Sequence, residues 1–208
     1  MAEKAVANID ANSAAAILRG LKVGFAFTGS HCTLAKAVEA MAKLYDMGVK
    51  IIPIISESVR DSDTRFGSAK SWREEIRLAA GGAEIIDSIV AAEPIGPKSL
   101  LDVLVIAPCS GNTLGKLACG ITDTTVTMSA KAHLRNQKPL VIALSTNDAL
   151  SANCKNIGLL LNTKNIFFVP FGQDNPMAKA TSMVADMQQI PQTVALAAQN
   201  IQIQPLLL

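Results

Sequence analysis

Aromatic side chains are scarce, with Phe, Trp and Tyr together at 4% of the 208 residues. Any core must therefore be built from aliphatic side chains. Charge is scarce as well, at 17%, and its two signs nearly cancel, Lys+Arg 19 against Asp+Glu 17. That balance excludes the one-sided basic field that nucleic acid or an anionic membrane surface requires. No apolar run approaches the roughly 20 residues that span a bilayer. There are four cysteines, Cys32, Cys109, Cys119 and Cys154, and two histidines. None forms a CxxC pair or a His/Cys cluster, so zinc and redox dithiols are not expected, and the thiols read as reduced. Residues 1–19 lack the charged, then apolar, then small pattern of a signal peptide, so a cytoplasmic location is expected. Repeats and low-complexity tracts are also missing.

What is present is a chain that is half apolar, enough to bury the core of one domain. Short apolar runs alternate with helix-period segments, the pattern of a mostly parallel sheet with helices on both faces. Strands are predicted at 22–27, 49–55, 101–107, 140–144 and 166–169, with a short one at 83–87. Pro53 places the second strand at a sheet edge or an irregularity, and Pro108 is expected to close the strand at 101–107. Helices are predicted over 34–45, 68–80, 114–118, 123–135, 149–161 and 178–200, with Pro191 kinking the last. Residues 56–67 and 93–97 read as loops. An Ala-rich leader, 1–19, is expected to be poorly ordered, and 20–208 to form the domain.

In such sheets ligands bind beyond the carboxyl ends of the strands, so the loops there matter most. Thr28-Gly29-Ser30-His31-Cys32-Thr33 offers a glycine, hydroxyls and a helix N-terminus, which suits a single phosphate. It matches neither GxGxxG nor GxxxxGK[ST]. An ordinary helix N-cap remains an equal reading. Pro108-Cys109-Ser110-Gly111-Asn112-Thr113 again leads into a helix, where it would hold the edge of a planar heterocycle or cap that helix.

The run from Pro108 through Asn112-Thr113 to Gly120-Ile121-Thr122-Asp123 resembles the Pro-Ala-Ser-Ala-Asn-Thr loop and Gly-(Ile/Val)-x-Asp turn of the flavoprotein family of homo-oligomeric flavin-containing cysteine decarboxylases. Phosphopantothenoylcysteine decarboxylase and flavin prenyltransferase belong to the same family. The resemblance covers roughly residues 20–175. It implies a flavodoxin-like, Rossmann-like three-layer fold and FMN bound between subunits of a trimer or dodecamer. The FMN-binding residues it implies are Thr28, Gly29, Ser30, Ser56, Cys109, Ser110, Asn112 and Thr113. The catalytic histidine of the decarboxylases has no counterpart, since His31 lies in the phosphate loop and His133 on a late helix. Their Pro-x-Met-Asn-x-x-Met-Trp clamp keeps only Asn147. Cysteine decarboxylation is therefore the least favoured activity.

Five further stretches, at 28–33, 63–67, 93–99, 145–150 and 170–176, resemble one branch of the family, found in spore-forming bacteria. Its members act with a separate A subunit that resembles nucleotide-dependent dehydrogenases. The resemblance implies an oxidoreductase subunit that converts a dihydro- or hydroxytetrahydro-pyridine dicarboxylate to the aromatic ring, with any nicotinamide on the A subunit. A non-catalytic scaffold for that A subunit is the alternative. Two substrate carboxylates call for cations, so Arg65 and then Lys98 are candidate substrate-binding residues, with Asn112 and Asn147. His31 is a weaker candidate for a catalytic base.

Overall fold

The structure, a computed structural model, describes residues 8–208. Helix α1 (Ala11–Leu18) precedes β1 (Lys22–Phe27), and α2 (Leu34–Asp46) carries the chain to β2 (Lys50–Ile55). Helices α3 (Glu57–Asp61), α4 (Ala69–Ala79) and α5 (Ile89–Ala92) lead to β3 (Val103–Cys109). Then come α6 (Gly111–Ala118), α7 (Thr125–Leu134), β4 (Leu140–Thr146), α8 (Cys154–Leu161) and β5 (Ile166–Phe168). Two short strands, β6 (Phe171–Gly172) and β7 (Met183–Ala185), precede α9 (Ile190–Ala197).

Strands β1 to β5 are parallel and lie in the order 2-1-3-4-5. Helices α1, α2 and α9 pack together as one layer, and α5, α6, α7 and α8 as another. This is the flavodoxin-like three-layer arrangement. Its central strands are buried on both faces, which is why β3 and β4 read as unbroken apolar runs. Gly48, Gly81 and Gly82 end helices α2 and α4 with positive φ, and a Cβ at Gly81 would lie 2.4 Å from the Tyr45 ring.

Several sequence expectations change in detail. β2 is the edge strand that Pro53 suggested, and the expected strand at 83–87 reduces to a single bridge between Ile54 and Ile86. The loop at 56–67 contains α3, capped by the Ser56 hydroxyl. The loop at 93–97 begins with a 3-10 turn over Glu93–Ile95, continuing from α5. β3 runs through Pro108 to Cys109 with a shift of register rather than stopping there. Residues 147–153 form turns, so α8 starts only at Cys154.

The largest difference lies after β5. β6 and β7 form an antiparallel extension from the end of β4, where Ser145 and Thr146 pair with β7. Residues 206–208 lie along β6, with the Leu208 N–H donating to the Phe171 carbonyl. The expected helix at 178–200 is therefore only α9. Pro191 starts that helix instead of kinking it, since an N–H is dispensable in the first turn. The leader also differs, for Ala14 and Leu18 of α1 are fully buried against α9. Residues 1–7 lie outside the described residues.

Two buried polar groups hold the centre. Thr28, 1% exposed, donates its hydroxyl proton to the Pro108 carbonyl at 2.6 Å and accepts from the Ser110 N–H at 2.9 Å. It ties the end of β1 to the end of β3. His133 on α7 is 1% exposed and its Nε2 donates to the Pro139 carbonyl at 2.9 Å. Burial pushes its pKa down from 6.5 to about 4, with the Pro139 contact opposing.

Removing the Thr28 hydroxyl by Thr28→Val should cost about 1–3 kcal/mol, because it orphans a buried carbonyl and N–H together. Urea midpoints at neutral pH check this, and an unchanged midpoint would refute the tie. The His133 shift sets a pH dependence. Between pH 6.5 and about 4 the unfolded chain takes up a proton that the folded imidazole refuses, so stability falls as pH falls across that window. The loss from this group should reach about 3 kcal/mol, at about 1.4 kcal/mol per unit. His133→Gln, which keeps a side-chain donor, should flatten the profile apart from any contribution of His31. An equally steep profile in the variant would assign the effect elsewhere.

Candidate functional site

All five parallel strands point their carboxyl ends to one edge, and the loops there surround a cleft of about 740 Å³. The loops after β1 and β3 diverge into helices of different layers, so the crevice opens at the point where strand order reverses. Gly29 and Ser30 come from the first loop, Ser110 from the third strand's end, Asn147 from the fourth. Arg65 reaches in from the segment between α3 and α4, and Lys179 from the β6–β7 hairpin.

At the first loop the chain turns tightly, the Ser30 N–H donating to the Thr28 carbonyl at 2.8 Å, and a 3-10 turn at His31–Thr33 leads into α2. Gly29 is required here, since a Cβ would lie 2.7 Å from the Ser58 hydroxyl. The Ser30 hydroxyl donates to the Ser145 carbonyl at 2.6 Å, stitching this loop to β4. His31 lines the cleft with its Nε2 3.4 Å from the Ser58 hydroxyl and its Nδ1 buried without a partner. Burial lowers its pKa, which favours neutral imidazole.

The loop after β3 is a helix cap first. The Ser110 hydroxyl accepts from the Thr113 N–H at the start of α6 and donates to the Thr113 hydroxyl at 3.1 Å. Gly111 lets that helix press onto the next loop, where a Cβ would lie 2.5 Å from the Thr146 hydroxyl and 2.6 Å from Asp148. Beneath it, Asp148 accepts from Thr146 and from Asn153, which in turn accepts from Asn156.

The structure brings together Gly29, Ser30, His31, Arg65, Ser110 and Asn147 from the sequence-derived set. It does not bring the others to the cleft within one chain. Thr28 has its hydroxyl committed between β1 and β3, and Ser56 caps α3. Thr113 and Cys109 are buried, and burial pushes the Cys109 thiol far up, so it is neutral. Asn112 is exposed on the first turn of α6, outside the cleft wall. Lys98 precedes β3 and therefore lies toward the opposite end of the sheet, exposed beside the 3-10 turn at 93–95.

Other cleft residues escape a sequence reading. Lys36 lies in the first turn of α2 and lines the cleft, with Arg65, without an ion pair among the described residues, and Arg65 packs its guanidinium 4.8 Å from the Phe66 ring centroid. Lys179 pairs with Asp174 at 3.0 Å, and the hairpin that carries both is fastened by the Thr181 hydroxyl to the Asn147 carbonyl at 2.6 Å. The neighbouring Ser182 and then Lys179 lower the Asp174 pKa. Only Lys36 had a usable sequence signal, its place one turn beyond a Gly-Ser loop. Among the described residues no group of three or more His, Cys, Asp or Glu side chains is placed to hold a metal ion, and no helix is long and apolar enough to cross a membrane.

Comparison with known proteins agrees with this geometry. The family model described as Flavoprotein matches residues 12–202. The dipicolinate synthase B subunit of Bacillus subtilis (strain 168) is 47% identical over 190 residues, 91% of this chain and 94% of that protein. The crystal structure of the dipicolinate synthase B subunit from Bacillus halodurans superposes with a TM-score of 0.84 at 46% identity, covering 92% of this chain and 97% of that one. A dodecameric FMN-dependent UbiX-like decarboxylase from Escherichia coli O157:H7 shares the fold, with a TM-score of 0.57 at 23% identity over 72% of this chain and 80% of that one. The chain thus belongs to the flavoprotein family, in the branch of the dipicolinate synthase B subunits.

Proposed function

We propose that this chain acts as the B subunit of a dipicolinate synthase, an oxidoreductase, with a separate A subunit, in forming dipicolinate during sporulation. The observation that carries the reading is the 47% identity to a B subunit across 91% of the chain. The cytoplasm of the mother cell is the proposed location, and a homo-oligomer, trimer or dodecamer, the proposed assembly.

The residues fit a flavin mononucleotide. Gly29 leaves backbone where a side chain would collide with Ser58, and the turn into α2 and Lys36 favour a phosphate. Ser30 and Ser110 would lie along the ribityl chain and ring. Asn112, exposed beside the cleft's rim, would meet a flavin completed by a neighbouring subunit. FMN supplies a two-electron acceptor when bound, and aromatisation provides the driving force.

The substrate is a small ring with two carboxylates. A hydroxytetrahydro precursor loses water to give the dihydro form. Aromatisation of the dihydro form requires loss of a hydride, for which a bound flavin or a nicotinamide on the A subunit would be the acceptor, and of a proton. Arg65 binds one carboxylate bidentately, its guanidinium already oriented by Phe66, and Asn147 offers amide N–H donors. His31, which lines the cleft and whose pKa burial lowers, would accept the proton.

Reconstitution with the A subunit tests the reading. The purified chain should carry or take up FMN, seen as visible absorbance, and the pair should form dipicolinate from the precursor while the A subunit alone does so more slowly. Arg65→Ala should weaken precursor binding by roughly 10- to 100-fold, at about 1.4 kcal/mol per tenfold, with FMN content kept. Parallel loss of flavin would move Arg65 to the cofactor. An A subunit equally active alone would reduce this chain to a scaffold.

A further inference from the structure

Most hydroxyl protons around the cleft are directed inward, into the protein. A hydroxyl has one proton to give and two lone pairs to accept with. Ser30 gives its proton to the Ser145 carbonyl at 2.6 Å. The Thr33 hydroxyl lies 3.0 Å from both the Ser30 carbonyl and the Ser145 hydroxyl, and either hydroxyl of that pair can be the donor. Ser110 donates to Thr113, and Thr146 to the Asp148 carboxylate. The carboxylate of Asp148 has no proton to offer and keeps free lone pairs beyond those facing Thr146 and Asn153. The side chains of Ser30, Ser110, Thr146 and Asp148 at the ends of β1, β3 and β4 therefore present mainly acceptors to a ligand.

Side-chain donors to a ligand stand elsewhere, on Lys36, Arg65, Lys179 and the Asn147 amide. The cleft thus has a donor side for carboxylates and an acceptor wall for N–H or O–H groups.

We infer that this acceptor wall, with Asp148 at its centre, is the specificity element that selects the reduced, donor-bearing ring over the aromatic product. The inference rests on the dipicolinate reading above. A reduced precursor carries a ring N–H in its amine or enamine form, and a hydroxyl where water has not yet been lost. The aromatic pyridine dicarboxylate presents only acceptors at neutral pH, namely its ring lone pair and its two carboxylates. Against Asp148 and Thr146 those lone pairs repel. The wall that holds the precursor is therefore the wall that expels the product.

The test is calorimetric binding of two probes to the complex of this chain with its A subunit. Piperidine-2,6-dicarboxylate, whose ring nitrogen donates, should bind at least tenfold more tightly than pyridine-2,6-dicarboxylate. Asp148→Asn replaces an acceptor oxygen by an N–H donor and should lower that ratio at least tenfold. Thr146→Val removes one acceptor without altering charge and should lower it several-fold, which keeps the test decisive if Asp148→Asn does not fold. If both probes bind equally, or neither variant moves the ratio, the acceptor wall is refuted while the dipicolinate reading stands. If neither probe binds the unmodified complex, the cleft is not the dicarboxylate site and both fall.

Discussion

The buried hydroxyl of Thr28 is the constraint on which the site depends. It closes the gap between β1 and β3 above the last paired residues of the sheet, where parallel backbone bonding has ended and the two chains must separate. Without a bridge at that position, the loops that follow would have no common reference. With it, Gly29-Ser30 and Ser110-Gly111 leave from one fixed point and turn into helices of different layers. The third loop is then referenced to both, through the Ser30 hydroxyl on the Ser145 carbonyl and through Gly111 against Thr146 and Asp148. Each loop of the site is thus held by contacts with its neighbours.

That mutual bracing has a chemical result. Hydroxyl groups at the strand ends serve the protein as struts, so what they show to a ligand is fixed by what they have already donated to the fold. Positive charge comes instead from helix and hairpin side chains that stand clear of the struts. Arg65 is the best oriented of these, since the Phe66 face restrains a side chain that would otherwise move freely in water. Lys179 has an internal counterion in Asp174, so binding a ligand carboxylate there competes with an existing pair. Lys36 has none.

Much of this was legible in the sequence. The runs that became β1, β3 and β4 are apolar at nearly every position because both faces are covered, and the loops after them carry the cleft, as parallel topology demands. Pro53 marked an edge strand for the reason that proline tolerates one. The segment from 178 to 189 misled because Ala178, Lys179 and Ala180 have helical composition, whereas Asn175, Thr181 and Ser182 bond to neighbouring backbone and the β4 loop and hold the chain in a hairpin. Lys98 misled although its place just before β3 already assigns it to the amino-terminal end of the parallel strands, away from the cleft. Asp148 was invisible for another reason. Its role follows from which hydroxyl lies beside it, and that proximity comes from the sheet's register and from a glycine on a different helix.

The segment at 206–208 gives β6 a neighbour on its outer side. Strand β6 would otherwise be a bare margin of main-chain donors and acceptors, the kind of surface that recruits a strand from another molecule. The fit is close, since a Cβ at Gly172 would lie 2.9 Å from the Leu208 carbonyl oxygen. The chain's last residues thus act as a guard rail for the sheet. Fusions placed directly after Leu208, or trimming of those three residues, would bear on aggregation more than on the chemistry of the cleft.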